Sequence, residues 1–470
     1  MLWQFGKLIG VVLVCAVFAL WSPGGDITKT PKFWRDEAIP FAIARSFAEQ
    51  GIFDVAVAPG VASGVPYLTH ATGFPVTGIL AGVFKIFGAS VFVARSVMLL
   101  WIAITLGSIF FVARSFFGSR AGIAAVLLVG TFSSFYANGR TVTGEIPGLM
   151  FLLWAILFIY KKEHFIFGGF LLALAAVTKP SIYLLLFPAI AIEFFIAHRS
   201  HWFRNLLRIA IGALPVICFW LWIIVPEPFM VSSWQKMFSL YSNPFNDSAL
   251  ISRFPEELFA FLFHPTILYF SAITLIILLA AWKRVFSELE LRFVHFALIY
   301  GVFAIVYVLR SPGWFRFLIA YQVLVLILLA PAFFGWLRIR RAHAYFLIFV
   351  FIIVQTITYF FSAHIPSGGM SIESGNILRA ELLKDQSVTL GFINLPTVAP
   401  LVDSRRVFQI GEIGGDDTYG INPLSYGSDH LPTYVFSYNN LYTGYEDVLA
   451  RYYEPTQVTI LKGVITYKRR

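Results

Sequence analysis

Residues 34–51 read WRDEAIPFAIARSFAEQG and follow closely on the first apolar run of the chain. Ile39, Ile43 and Phe47 fall four apart, an apolar stripe at helical spacing, while Arg45 and Glu49 fall four apart on another side. The pattern predicts a short amphipathic helix beginning at Asp36 and ended by Gly51. Asp36 is placed as its N-cap, and Glu37 suits the positive end of the helix dipole. Pro40 is tolerated because first-turn N–H groups have no intrahelical partners. A helix of this kind beside a membrane span lies along the membrane surface. Capping explains the acidic pair locally. A carboxylate at the boundary between lipid and water is also well placed to act as a general base on an incoming hydroxyl.

The rest of the chain explains why a membrane enters the reading at all. Of 470 residues, 58% are hydrophobic and only 13% charged, with 50 Phe and a mean hydropathy of +0.77. A soluble protein carries about a quarter charged residues. The excess exceeds what one core can bury, so the class is a polytopic membrane protein. The formal net charge is +10. Basic cytoplasmic loops account for that charge, and no nucleic-acid partner is implied. Cys15 and Cys218 both lie in apolar runs and offer neither a disulfide framework nor metal-ligand spacing.

Runs long enough to cross a bilayer occur near 5–22, 88–112, 121–138, 146–160, 165–178, 181–197, 209–226, 266–282, 293–309, 317–337 and 344–361, about eleven in all. The first, around LIGVVLVCAVFALW (8–21), reads either as a cleaved signal peptide or as a retained span, and the loop charges need the span. Residues 65–87 are apolar but broken by Pro66, Gly73, Pro75 and Gly78, which suits an interfacial or re-entrant segment. Lys7, Arg114, Arg120, Lys161, Lys162, Arg199, Arg204, Arg208, Lys283, Arg284, Arg292, Arg338, Arg340 and Arg341 mark one set of loops as cytoplasmic. The N-terminus is then cytoplasmic, in an inner or plasma membrane. Residues 23–87, 139–145, 227–265, 310–316 and the C-terminal tail lie outside.

From 362 onward the composition turns polar, and SVTLGFI, TYVFSY and QVTILKGVITYK alternate as strands do. The expected fold is mainly α: a transmembrane helical module over 1–361, including the first outer loop, followed by a small extracytoplasmic α/β domain over 362–470.

The stretch WRDEAIPFAIARSFAEQG, followed by GVPYLTHATGFPVTGILAGVFKIFGASVFVARS (64–96), resembles the first outer loop of the GT-C membrane glycosyltransferases. The nearest branch is the protein O-mannosyltransferase and aminoarabinose-transferase superfamily. The matching features are Asp36-Glu37, Gly51, His70 to Pro75, Phe87-Gly88 and Arg95. The resemblance covers residues 1–200, and 200–361 by hydropathy and loop order. One departure is that THATGFP (69–75) displaces the prolines expected there. The resemblance implies inverting transfer of a sugar from a polyprenyl-phosphate donor to an acceptor hydroxyl at the outer face. The acceptor is a protein, a lipid or a glycan. Asp36 is the implied catalytic base and Glu37 its weaker catalytic partner. A divalent cation is used by some relatives and stays open here.

Polar residues at other outer helix ends fit the same chemistry. In NGRTVTGEIPG (138–148), Thr143 is placed to cap a helix, with Glu145 and Pro147 in its first turn. Arg140 is a candidate for pairing with Asp36 or Glu37, or for the donor phosphate. Lys179, in TKP, is a second; snorkelling at a helix end is its plain alternative. Arg310 and Arg316 bracket a Gly-Trp turn and suit a lipid phosphate, because a guanidinium presents a planar fork of donors. His70, Glu145, His264 and Trp314 are candidates for substrate binding. The rival class is a lipid or saccharide transporter or flippase, which favours ionisable groups at mid-span and repeat symmetry. The span centres read as nearly free of charge.

Overall fold

The computed structural model describes residues 26–197, 201–225, 227–242, 255–337, 341–362, 370–393, 395, 397–410, 431–438, 446–456, 460–461 and 464–470. In chain order the main elements begin with α1 (Arg35–Gln50), β1 (Ala56–Ala58), β2 (Val61–Ala62), α2 (Phe74–Phe87) and α3 (Val91–Phe117). Next come α4 (Ser119–Gly130), α5 (Ser133–Gly139), α6 (Glu145–Ile156), α7 (Phe165–Thr178), α8 (Leu186–Ala197) and α9 (Trp202–Ile224). Then follow α10 (Pro265–Trp282), α11 (Glu288–Leu309), α12 (Ile319–Trp336), α13 (Arg341–Ile357) and α14 (Met370–Glu381). Strands β3 (Leu390–Ile393), β4 (Val407–Gln409), β5 (Tyr434–Tyr438), β6 (Tyr453–Pro455) and β7 (Val464–Arg469) complete the chain.

The described residues fall into two compact units. The helical unit comprises 98–222 and 234–364. Among the described residues, seven helices are long and apolar enough to cross a membrane, and an eighth is counted if the bent pair α4–α5 is one span. Their bounds follow hydropathy closely, because a lipid-facing helix needs apolar residues all round. The expected span 121–138 is the bent pair: its axis turns by 69° at residues 131–132. At that break the Thr131 hydroxyl lies 2.8 Å from Gln355 Oε1 on α13, and Gln355 Nε2 donates to the Tyr269 hydroxyl of α10 at 2.9 Å. The expected span 146–160 is α6 continued by a π turn over Leu157–Lys161. The expected span 165–178 is α7, of 14 residues. Such a helix is about 20 Å long and falls short of the hydrocarbon thickness. The expected span 5–22 lies outside the described residues. Helix α12 sits at the centre, buried from Ile319 to Phe333 and packed against α4 and α10.

The second unit joins the first long loop to the tail: residues 26–97, 223–233 and 365–470. This grouping differs from a cut at 361. Arg45 Nη1 donates to the Pro400 carbonyl at 2.9 Å, the Ser404 hydroxyl donates to Glu49 at 2.5 Å, and Gln409 Nε2 donates to the Ala56 carbonyl at 3.1 Å. Phe41 of α1 meets Phe84 of α2 edge-on at 5.0 Å. The tail's sheet has the order β4-β3-β5-β7-β6. Strand β3 runs parallel to β4 and β5, while β7 is antiparallel to β5 and β6. Leu378 of α14 packs with Leu390, Phe392 and Phe436 from the sheet in one core, which makes this an α/β domain.

Candidate active site

The N-cap of helix α1 lies two residues earlier than its sequence suggests. Trp34 is the N-cap, with extended backbone and no side-chain cap, and its carbonyl accepts from Glu37 and Ala38 N–H at 3.1 and 2.9 Å. Asp36 therefore lies in the first turn and is not the capping residue. It is half-buried, as is Arg35. Glu37 is completely buried against Arg95 of α3, with Nη2 to Oε2 at 2.6 Å and Nε to Oε1 at 2.8 Å. Arg95 Nη1 donates to the carbonyls of Ile27 and Thr28 at 2.7 and 3.2 Å. A guanidinium fork of this kind fixes orientation as well as charge. It ties the acidic turn of α1 to the start of α3 and to the segment before α1. Both Glu37 oxygens are thus engaged in the fold.

His70 belongs to the same unit and is also buried. Its Nε2–H donates to the Phe53 carbonyl at 3.1 Å, the ring lies 5.3 Å from that of Phe53, and Nδ1 has no hydrogen bond among the described residues. Neighbouring Asp54 accepts from the Thr69 and Ser63 hydroxyls at 2.6 Å each and from Val55 N–H at 2.7 Å. Burial holds the imidazole below its ordinary pKa, against the opposing pull of Asp54 and the Phe53 carbonyl. The geometry makes His70 a pin for loop 51–70.

In the helical unit, Glu145 opens α6. Its N-cap is Gly144 without a side-chain cap, and Thr143 instead donates to the Asn138 carbonyl at 3.2 Å. Capping by Thr143 is therefore not what starts this helix. Gly144 is dictated by close approach: a Cβ there would lie 2.1 Å from the Thr178 carbonyl oxygen. That approach brings Glu145 Oε1 to 3.7 Å from Lys179 Nζ, with both side chains buried. The Tyr183 hydroxyl donates to the Glu145 carbonyl and closes the back of the loop. Arg140, from the loop that precedes α6, is buried and donates to the Tyr359 hydroxyl at 3.2 Å, with its guanidinium carbon 5.9 Å from the centre of the Tyr136 ring.

The turn after α11 carries the remaining candidates. Gly313 adopts a left-handed φ of 84°, which permits the tight reversal. Arg316 stacks over Trp314 at 4.6 Å, and Phe315 lies 4.4 Å from the His264 ring. His264 caps α10, its Nδ1 accepting from Thr266 N–H at 3.2 Å. His264, Trp314 and Arg316 thus share one aromatic neighbourhood, while Arg310 is exposed at the end of α11. Among the described residues, no three His, Cys, Asp or Glu side chains gather as a metal site.

Sequence reasoning missed one charged cluster. Glu193 of α8 is fully buried, its Oε1 3.2 Å from Nε of Arg292, whose guanidinium lies over the Tyr160 ring at 4.8 Å. The signal was present: Glu193 is an isolated carboxylate inside the apolar run LFPAIAIEFFIA, which marks a paired or functional group.

Comparison with known proteins bears on what this arrangement serves. Residues 75–224 match the profile of the dolichyl-phosphate-mannose-protein mannosyltransferase family. The structure superposes on ArnT from Cupriavidus metallidurans bound to undecaprenyl phosphate with a TM-score of 0.65 at 13% identity, covering 98% of each chain. The chain has the GT-C fold. A second GT-C structure, the apo oligosaccharyltransferase of Archaeoglobus fulgidus, matches at TM-score 0.58 and 12% identity over 86% of this chain. The match spans 64% of that longer protein. The archaeal oligosaccharyltransferase AglB from Archaeoglobus fulgidus, in complex with an inhibitory peptide and a dolichol-phosphate, gives 0.55 at 12% identity, with 86% of this chain and 64% of that one covered. No curated protein matches by sequence alone. The GT-C assignment rests on whole-chain geometry, and the family profile reaches from α2 to the end of α9.

Proposed function

We propose that the chain is an inverting glycosyltransferase that moves a sugar from a polyprenyl phosphate to an acceptor hydroxyl at the outer face of the membrane. Asp36 accepts the proton as the acceptor oxygen attacks the anomeric carbon. The bond from that carbon to the phosphate oxygen breaks, and the lipid phosphate departs with its electron pair. Lys179, Arg140, Arg310 and Arg316 are the cations assigned to the developing phosphate charge, where one fixed donor contributes roughly 2.7–4 kcal/mol. The observation that carries this reading is the division of the acidic pair. Glu37 and Arg95 form a closed, buried fork, and that fork fixes the first turn in which Asp36 stands. The fold supports a lipid-phosphate donor, as do the neighbouring structures bound to undecaprenyl phosphate and to a dolichol-phosphate. In the orientation read from loop charge, the tail domain is extracytoplasmic. The acceptor class is protein, lipid or glycan.

Purified protein in lipid nanodiscs, supplied with radiolabelled polyprenyl-phosphate sugars and acceptor mixtures, tests the proposal. Wild type should release lipid phosphate and transfer label. Asp36→Asn should lower transfer by about 100- to 10,000-fold without altering the melting profile. An unchanged rate in that variant sinks the base assignment. Movement of labelled lipid across a vesicle membrane without sugar transfer favours a flippase.

A further inference from the structure

Helices α7 and α9 meet backbone to backbone. A Cβ on Gly169 would lie 2.1 Å from the Ile209 carbonyl oxygen, and one on Gly212 would lie 1.8 Å from that of Ile166. Small residues are what allow such an approach. Beside this crossing opens a groove of about 670 Å³, within the usual size range of small-molecule sites. Its walls are apolar: Phe167, Phe170, Ile211 and Pro215. Its polar end is formed by Arg208, His164 and Glu163. Lys161, Lys162 and Arg204 lie close by in sequence and are exposed, so cations outnumber the single carboxylate around that end.

We propose that this groove is a binding site for an anionic diacyl phospholipid. Its phosphate would sit against Arg208 and His164, and one acyl chain would run along Phe167, Phe170 and Ile211. Three observations on the same unit converge on that occupant. The groove couples an aromatic and aliphatic trough to a guanidinium, which complements a lipid with an anionic head. The basic residues make this the end that the positive-inside rule places in the cytoplasmic leaflet, where anionic lipids are attracted to basic pockets between helices. Finally, the groove is distinct from the cation assigned to the donor. It is lined by the first residues of α7, whereas Lys179 caps the far end of that helix, about 15–20 Å along the axis. The proposal stands whether or not the chain transfers sugar.

The test offers delipidated wild-type protein equal amounts of phosphatidylglycerol and phosphatidylcholine and reads bound lipid by native mass spectrometry. Wild type should prefer phosphatidylglycerol about tenfold, a difference of about 1.4 kcal/mol. Arg208→Gln should bring the ratio close to one, Arg208→Lys should restore most of the preference, and Ile211→Trp should lower retention of both lipids by filling the trough. A wild-type ratio near one, or an unchanged ratio in Arg208→Gln, overturns the proposal. Displacement of phosphatidylglycerol by substoichiometric undecaprenyl phosphate also overturns it, since the groove would then belong to a prenyl phosphate. A diazirine-bearing phosphatidylglycerol provides a measurement on wild type alone. Crosslinks to peptides covering 163–170 and 208–215 support the site, and crosslinks confined elsewhere refute it.

Discussion

Two carboxylates in this chain stand in the first turn of a helix, each buried beside a cation, yet they are held in different ways. Glu37 is gripped by the Arg95 fork through both oxygens at 2.6 and 2.8 Å, and Arg95 spends a further nitrogen on backbone carbonyls. Glu145 has a single ammonium at 3.7 Å, and neither of its oxygens accepts a hydrogen bond among the described residues. The first pair is saturated and fixes geometry. In the second, the distance leaves the Lys179 ammonium, with its three donors, able to turn toward an incoming anion. Burial alone does not separate the two roles, since both carboxylates are equally inaccessible. Saturation of hydrogen bonds does.

The largest effect should come from breaking the saturated pair. Arg95→Ala leaves a buried carboxylate without its partner, which costs about 3–5 kcal/mol. The protein should melt far lower in detergent. Replacing both partners with neutral groups of similar shape, Glu37→Gln with Arg95→Met, should recover much of that loss, because no charge then remains buried. If Arg95→Ala melts like wild type, the fork is not what fixes α1.

Breaking the open pair should act on ligand more than on fold. Lys179→Met, made together with Glu145→Gln so that no buried carboxylate is left without its partner, is expected to weaken binding of the lipid-phosphate donor by roughly 10- to 150-fold, the range for a hydrogen bond to a charged group of about 1.5–3 kcal/mol. Its melting temperature should fall less than that of Arg95→Ala. Donor titration beside thermal melting, on the same preparations, separates the two. A variant that melts as low as Arg95→Ala while keeping donor affinity would show that the two pairs serve the same structural purpose.

These pairs also mark where sequence stops being informative. Helix α1, its Arg45–Glu49 pair at 2.7 Å and its glycine stop at Gly51 follow from spacing alone, because a helix makes i,i+4 neighbours of residues close in the chain. The spans follow from apolar composition for a similar reason. Partners set by tertiary structure do not. Arg95 lies 58 positions from Glu37, and Pro400 lies 355 from Arg45. Nothing local in either sequence names the other. Arg95 was legible as part of the GT-C-like pattern but not as the partner of Glu37. Asp36 reads as a cap from its residue type, yet the Trp34 carbonyl begins the helix. The grouping of residues 26–97 with the tail was equally hidden, because the hydrogen bonds that join them are long-range.

The smallest effect separates the loop pin from the chemistry. His70 is held neutral by burial, with Nε2–H on the Phe53 carbonyl. In the unfolded chain the imidazole takes a proton below about pH 6.5. The folded state resists that proton, so the unfolded state binds more protons in acid, and stability falls as pH drops through that value. The slope approaches at most about 1.4 kcal/mol per pH unit, and above pH 7 the contribution is flat. Melting curves from pH 8 to pH 5 should therefore show an acid-side decline in wild type. Gln can keep a donor toward Phe53 but cannot be protonated, so His70→Gln should flatten part of that decline while sugar transfer at pH 7.5 changes little. An identical pH profile in the variant removes His70 from the account of acid sensitivity. A large loss of transfer at neutral pH would instead move His70 into the substrate site.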